Sequence, residues 1–184
     1  MPIFILCGII FINFFQANAQ ELQNKKSCHL NFSIGPGTSV FKGLSLYSSL
    51  AFQKKQNQLS LRWIDNSENG NKTSGEYSQF EYYNDYFRDI SLLYGRTYKK
   101  NKLFASASAG VGCYTYYHNW LNIAKAGGNV DGKSYSGVGL ALETKLLIMV
   151  NRGFSLGTCF FWNVNKDKSI NGASLNLVFG ILNE

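Results

Sequence analysis

The feature that most constrains this chain is a side-chain pattern with a period of two. Between Ser134 and Val150, Val138, Leu140, Leu142, Leu146 and Ile148 fall on one face, and Gly137, Gly139, Ala141, Glu143 and Lys145 on the other. Successive side chains on a strand leave opposite faces, so this segment reads as one long two-faced strand. The same rhythm returns along most of the chain and predicts an all-β protein.

Eight strands account for the pattern, at residues 28–40, 43–53, 57–65, 86–99, 102–118, 134–150, 153–165 and 169–182. Each has one apolar face, for example Leu59, Leu61 and Trp63 in the third or Leu175, Leu177, Phe179 and Ile181 in the last. The other face is polar or very small: Asn31, Ser33 and Gly35; Ser60 and Arg62; Ser106, Ser108, Gly110 and Gly112. Alternation alone does not say which face is inside, since a soluble lipocalin-like barrel that binds a small apolar ligand has the same period. Residue size decides. Water does not demand glycine and serine, whereas the interior of a narrow eight-stranded barrel has room only for side chains that fill it. The polar face also carries charges of both signs, Arg62, Asp89, Glu143 and Lys145, able to pair across a lumen. The expectation is an eight-stranded antiparallel up-and-down transmembrane β-barrel with a small-residue polar lumen and a lipid-facing apolar exterior.

The N-terminus fits export. Residues 3–15 form an apolar run too short for a helical span, which needs roughly 20 residues. The small-x-small sequence Ala17-Asn18-Ala19 follows, so residues 1–19 read as a signal peptide and 20–184 as one barrel domain. Aromatic residues make up 15% of the chain, which excludes a disordered polypeptide. Beyond Cys7 in the signal, the cysteines are Cys28, Cys113 and Cys159; an odd number without CxxC spacing gives neither a full disulfide framework nor a zinc site. No cofactor or metal is expected.

The connections alternate in length. Lys54-Lys55-Gln56, Lys100-Asn101 and Asn151-Arg152 are short, whereas 66–85 and 119–133 read as long polar loops. Short turns at one end and long loops at the other are the asymmetry of outer-membrane barrels. Trp63, Tyr98, Tyr117, Trp120, Phe154 and Trp162 sit near strand ends, where rings favour the lipid–water boundary. Formal charge is +7. The lysines lie in turns and loops with no basic helix or stacking platform, so nucleic acid is not the expected partner.

The chain resembles the small outer-membrane β-barrel proteins of Gram-negative bacteria, the group with OmpX-like and OmpA-like eight-stranded domains. The resemblance covers nearly all of 20–184 and rests on the strand pattern and on stretches such as DISLLYGRTY (Asp89 to Tyr98) and KLFASASAGVGCYTYY (Lys102 to Tyr117). The C-terminus departs from it, ending Phe179-Gly180-Ile181-Leu182-Asn183-Glu184 where these barrels often end in an aromatic residue. The resemblance implies a bacterial outer-membrane location and a structural or surface-interaction role without a wide, porin-like pore. The partners it implies are outer-membrane lipid and lipopolysaccharide, the barrel insertion machinery and an extracellular ligand at loops 66–85 and 119–133.

Some barrels of this size are lipid A-modifying acyl hydrolases, which need a Ser nucleophile, a His base and an acidic partner. Only His29 and His118 are available. His118 has lumen parity near the outer end of the fifth strand, with Ser134 and Ser136 across the following loop and Glu143 deeper. Deacylases of the family carry His and Ser two residues apart on one strand, whereas His118 is followed by Asn119 and Trp120. No catalytic residue is assigned, and the chain is expected not to be an enzyme.

Overall fold

The computed structural model describes residues 28–39, 43–74, 79–122 and 129–180, the side chains of 69–74, 79–83, 119–122 and 129–131 excepted. The expected signal at 1–19 lies outside them. The described chain forms eight strands: β1 (Cys28–Ser39), β2 (Leu44–Lys54), β3 (Asn57–Ser74), β4 (Gln79–Lys100), β5 (Leu103–Asn122), β6 (Asn129–Asn151), β7 (Phe154–Val164) and β8 (Ile170–Gly180). Every sequential pair is antiparallel, and β1 closes on β8, so the sheet is a closed up-and-down barrel without edges at its waist.

One end is made of tight hairpins. Lys54 pairs with Asn57, Lys100 with Leu103 and Asn151 with Phe154. Two of these turns open with a left-handed residue, Lys55 at φ 56° and Asn101 at φ 55°. Asparagine tolerates that conformation better than lysine. This end is called the turn end below, and the opposite one the loop end.

The sidedness inferred from residue size is the observed one. Leu30, Leu46, Leu61, Leu92, Val111, Leu140, Leu156 and Leu177 all face outward and are exposed, while Ser33, Ser49, Ser60, Ser91, Ser106 and Ser174 are buried inside. A lipocalin-like reading requires the reverse. Tyr86 and Tyr98 mark the two margins of the apolar wall on β4, twelve residues apart. That is ~40 Å of strand at ~3.3 Å per residue, and ~30 Å of height at a tilt of about 40°. A bilayer's hydrocarbon core is about 30 Å thick.

Two expectations need correction. First, 66–85 and 119–133 are not long loops. The β3–β4 ladder continues to Ser74↔Gln79, and the β5–β6 ladder to Asn122↔Asn129. Neighbouring strands stop earlier: β2 ends against Ser67, and β7 ends against Leu140. Strands β3 to β6 therefore rise past the rim as a four-stranded sheet. A backbone hydrogen-bond ladder does not need apolar–polar alternation, so pairing continues in sequence after that alternation has ended. Only 75–78 and 123–128 remain between the strands, and they lie outside the described residues.

Second, the lumen is not lined by small and polar residues alone. Three apolar clusters fill it at successive heights: Phe104, Leu147 and Val178 near the turn end, Tyr47, Ile64, Cys159 and Phe161 in the middle, and Phe87, Tyr114 and Ile170 near the loop end. The small residues make room for them. A Cβ on Gly172 would meet the Phe161 ring, and one on Gly137 would meet the Tyr114 ring. Glycine on the inner face thus accommodates a large partner opposite it.

Candidate functional site

Two polar assemblies occupy the lumen between these clusters. The deeper one gathers the four charges singled out by parity. Arg62 on β3 donates from Nη2 to Asp89 Oδ2 on β4 at 2.7 Å, and its Nη1 lies 4.0 Å from Glu143 Oε2 on β6. Lys145 Nζ stands 3.3 Å from Glu143 Oε1 and donates to Ser49 Oγ at 2.8 Å. All four side chains are at most 2% exposed. Two cations face two carboxylates, so the group is formally neutral, which buried charge requires.

Neutral donors and carbonyls complete the assembly. Tyr47 OH donates to Glu143 Oε2 at 2.8 Å, Asn163 Nδ2 to Asp89 Oδ1 at 2.6 Å, and Arg62 Nη1 to the Leu142 carbonyl at 2.8 Å. The sequence reading named neither Tyr47 nor Asn163. Gly112 and Gly139 are cross-strand partners beside this group. A Cβ on Gly112 would meet Asp89 Oδ1 and Ser91 Oγ, and one on Gly139 would meet Asn163 Oδ1. That close approach explains glycine at both positions. The assembly ties β2, β3, β4, β6 and β7 together across the lumen as a cross-brace.

The second assembly closes the loop-end mouth. Asp85 on β4 meets His118 Nδ1 through Oδ1. Its Oδ2 accepts from Lys168 Nζ and from Tyr116 OH, each at 2.7 Å. Lys168 belongs to the β7–β8 connection, which Asn165 folds into a tight turn: its Oδ1 accepts from the backbone amides of Asp167 and Lys168. The turn thereby swings Lys168 over the lumen, where Nζ sits 4.4 Å from the Tyr116 ring centroid, and brings Asp167 to Tyr114 OH. Asp85, Lys168 and His118 are 10%, 22% and 25% exposed, so water reaches this group. Burial works to raise the Asp85 pKa, but the hydrogen bonds from Lys168, Tyr116 and His118 outweigh it and hold the carboxyl below its ordinary value.

This mouth bears on the catalytic residues weighed from sequence. Ser134 pairs with Tyr117 and Ser136 with Thr115, on the outward face of β6, whereas His118 faces the lumen. Neither serine shares a face with His118. Glu143 belongs to the deep assembly, and the carboxylate at His118 is Asp85, within the stretch 66–85 expected to be a loop. The hydroxyl near His118 is that of Tyr116, 3.3 Å from Nδ1. His29 stands at the turn-end start of β1.

The aromatic residues form two groups on the wall. Trp63, Tyr117 and Trp162 are exposed and outward towards the loop end, and Tyr98 and Phe154 lie at the turn end. Tyr86 joins the first group, 6.2 Å from Tyr117, and Phe179 the second, 5.5 Å from Phe154. The Trp120 side chain lies outside the described residues. Arg88 on the wall donates from Nε to Asp65 at 2.9 Å and lies 5.4 Å from the Trp63 and Tyr86 ring centroids. Cys28, Cys113 and Cys159 carry free thiols, Cys113 on the outward wall and Cys159 inside.

No protein-family model matches the chain, and no curated protein matches it. Solved structures do. The N-terminal β-barrel domain of Pseudomonas aeruginosa OprF is similar over 85% of this chain and 100% of its own, at 12% identity and a TM-score of 0.57. The attachment invasion locus protein Ail of Yersinia pestis, solved in complex with the heparin analogue sucrose octasulfate, is similar over 85% of this chain and 97% of its own, at 8% identity and a TM-score of 0.50. At these identities the likeness is one of fold, and the fold is that of the small eight-stranded outer-membrane barrels.

Proposed function

We propose that the chain is an integral barrel of a bacterial outer membrane with a non-enzymatic structural or surface-interaction role. The observation that carries this reading is the pairing of an exposed apolar wall, bounded by aromatic groups ~30 Å apart, with a lumen filled by charge pairs and three apolar clusters. An uncovered apolar wall is stable against lipid and not against water. A filled lumen supports no wide pore. On this reading the β3–β6 sheet displays 66–85 and 119–133 outside the cell, next to lipopolysaccharide, and residues 1–19 are the cleaved export signal that delivers the chain to the insertion machinery. Electrophoresis of the membrane-fraction protein with and without boiling in SDS tests it. A folded barrel resists cold SDS and changes mobility on heating; a soluble protein with no shift contradicts the proposal.

One observation favours a second reading, a lipid A acyl hydrolase: the Asp85–His118 pair supplies an oriented imidazole at the loop end. The outward direction of Ser134 and Ser136 counts against it. Its test is a changed lipid A mass on expression that is lost in His118→Ala.

A further inference from the structure

Cations are unevenly placed on this barrel. The loop end carries both signs, with Arg88 paired to Asp65 and Lys168 to Asp85 alongside Lys133, Lys166, Glu68 and Asp167, and the mid-lumen charges form a neutral group. At the turn end stand Lys54, Arg96, Lys100 and Lys102, and among the described residues no Asp or Glu lies at this end. The sequence suggests lysines scattered among turns and loops; the topology collects much of the excess positive charge at one rim.

Three cations, Lys54, Arg96 and Lys100, are exposed on the outward face of the wall. Lys54, Asn57 and Arg96 share one cross-strand row, and all three are exposed on the outward face. Two strand spacings separate Lys54 from Arg96, ~10 Å. Lys100 continues the outward face of β4 past Tyr98, and Tyr94 lies on the other side of Arg96. Tyr94 and Tyr98 are 59% and 64% exposed. A group reaching Lys54, Arg96 and Lys100 must therefore lie alongside the wall, at the lower margin of its apolar zone. Long basic side chains next to tyrosines at such a margin extend their charge towards the headgroup layer.

We propose that Lys54, Arg96 and Lys100 form a collar that binds the phosphate groups of anionic phospholipids in the leaflet at the turn end. The proposal rests on the membrane reading above. The occupant follows from charge complementarity and place: an anion with an apolar body, held laterally against a barrel wall. A soluble acidic partner would approach the hairpin tips from below and would not need cations on the wall.

The test uses the full chain in phosphatidylcholine vesicles containing trace spin-labelled phosphatidylglycerol or spin-labelled phosphatidylcholine. The expected result is preferential association of the anionic probe, by about fivefold for a fully engaged cation. The preference should vanish in 1 M salt and in Lys54→Gln/Arg96→Gln/Lys100→Gln, and persist in the loop-end variant Arg88→Gln. Equal association of the two probes, or a preference that survives the triple substitution, overturns the proposal. So does binding of soluble polyglutamate, lost in the triple variant, without any lipid preference, which would put an acidic soluble partner at the rim. Should the triple variant not fold, Arg96→Gln with the salt titration gives the same decision. Failure of the wild-type chain to float with vesicles would overturn the membrane reading itself, an outcome distinct from insertion without lipid preference.

Discussion

The mid-lumen quartet and the loop-end cluster use the same chemistry, carboxylates held by cations and phenols, in two different solvents. Arg62 and Asp89 are wholly excluded from water, whereas Asp85, His118 and Lys168 keep a tenth to a quarter of their surface exposed. Desolvation makes the first group intolerant of losing a member, because the abandoned charge has nowhere to be solvated. At the mouth, water takes over a vacated hydrogen bond. One assembly braces the barrel, and the other holds the β7–β8 turn over its opening.

Removing one partner of the buried pair should break the comparison most severely. Asp89→Leu strands Arg62, and unfolding in detergent micelles should show a loss of about 3–5 kcal/mol. Arg62→Met/Asp89→Leu removes both charges and should recover part of that loss; a double variant as unstable as the single one would show that packing, not stranded charge, sets the cost. Glu143→Leu should cost an amount comparable to Asp89→Leu, since it leaves the buried Lys145 ammonium with Ser49 but without its carboxylate. It should lower the temperature at which the mobility shift occurs, and an unchanged temperature would remove Glu143 from the brace.

The mouth should answer more weakly and with a pH signature. Asp85→Asn should cost about 1.5–3 kcal/mol, the range of one hydrogen bond to a charged group. Because the folded-state pKa of Asp85 is depressed, its contribution is complete above the ordinary carboxyl pKa and is lost as pH falls through the folded value. Wild-type stability should therefore decline below about pH 4, and that portion of the decline should be missing in Asp85→Asn. Equal acid profiles would show that Asp85 does not stabilise the loop-end cluster. The smallest effect belongs to the exposed Arg88–Asp65 pair: Arg88→Gln should change stability by less than about 1 kcal/mol, less still at high salt.

How these groups were legible differs in an instructive way. Parity alone puts Arg62, Asp89, Glu143 and Lys145 on the inner face, since inner and outer residues alternate along the strands around them. Parity carries no height, so it did not say that Tyr47 and Asn163, from distant strands, meet those carboxylates. Register supplies that, through the tilt common to all strands. Asp85 was readable in principle, because it shares the odd-numbered inner face of β4 with Asp89. It was missed because β4 outlasts its apolar face, so the polar stretch looked like a loop. Lys168 had no strand pattern to place it; the Asn165 turn did. The apolar lumen clusters escaped notice for a related reason: an inward Phe161 fits only because Gly172 lies beneath it on a neighbouring strand.

The most direct test of the account is tryptophan fluorescence of Trp63 and Trp162, with Trp120 replaced by Phe, in vesicles of lipids brominated at known depths along their acyl chains. Trp63 and Trp162 face outward on the wall. The account predicts strong quenching, deepest for bromines near the headgroup end of the chains. Fluorescence unaffected by bromine at every depth, from protein shown to be folded, would mean that the apolar wall does not face lipid.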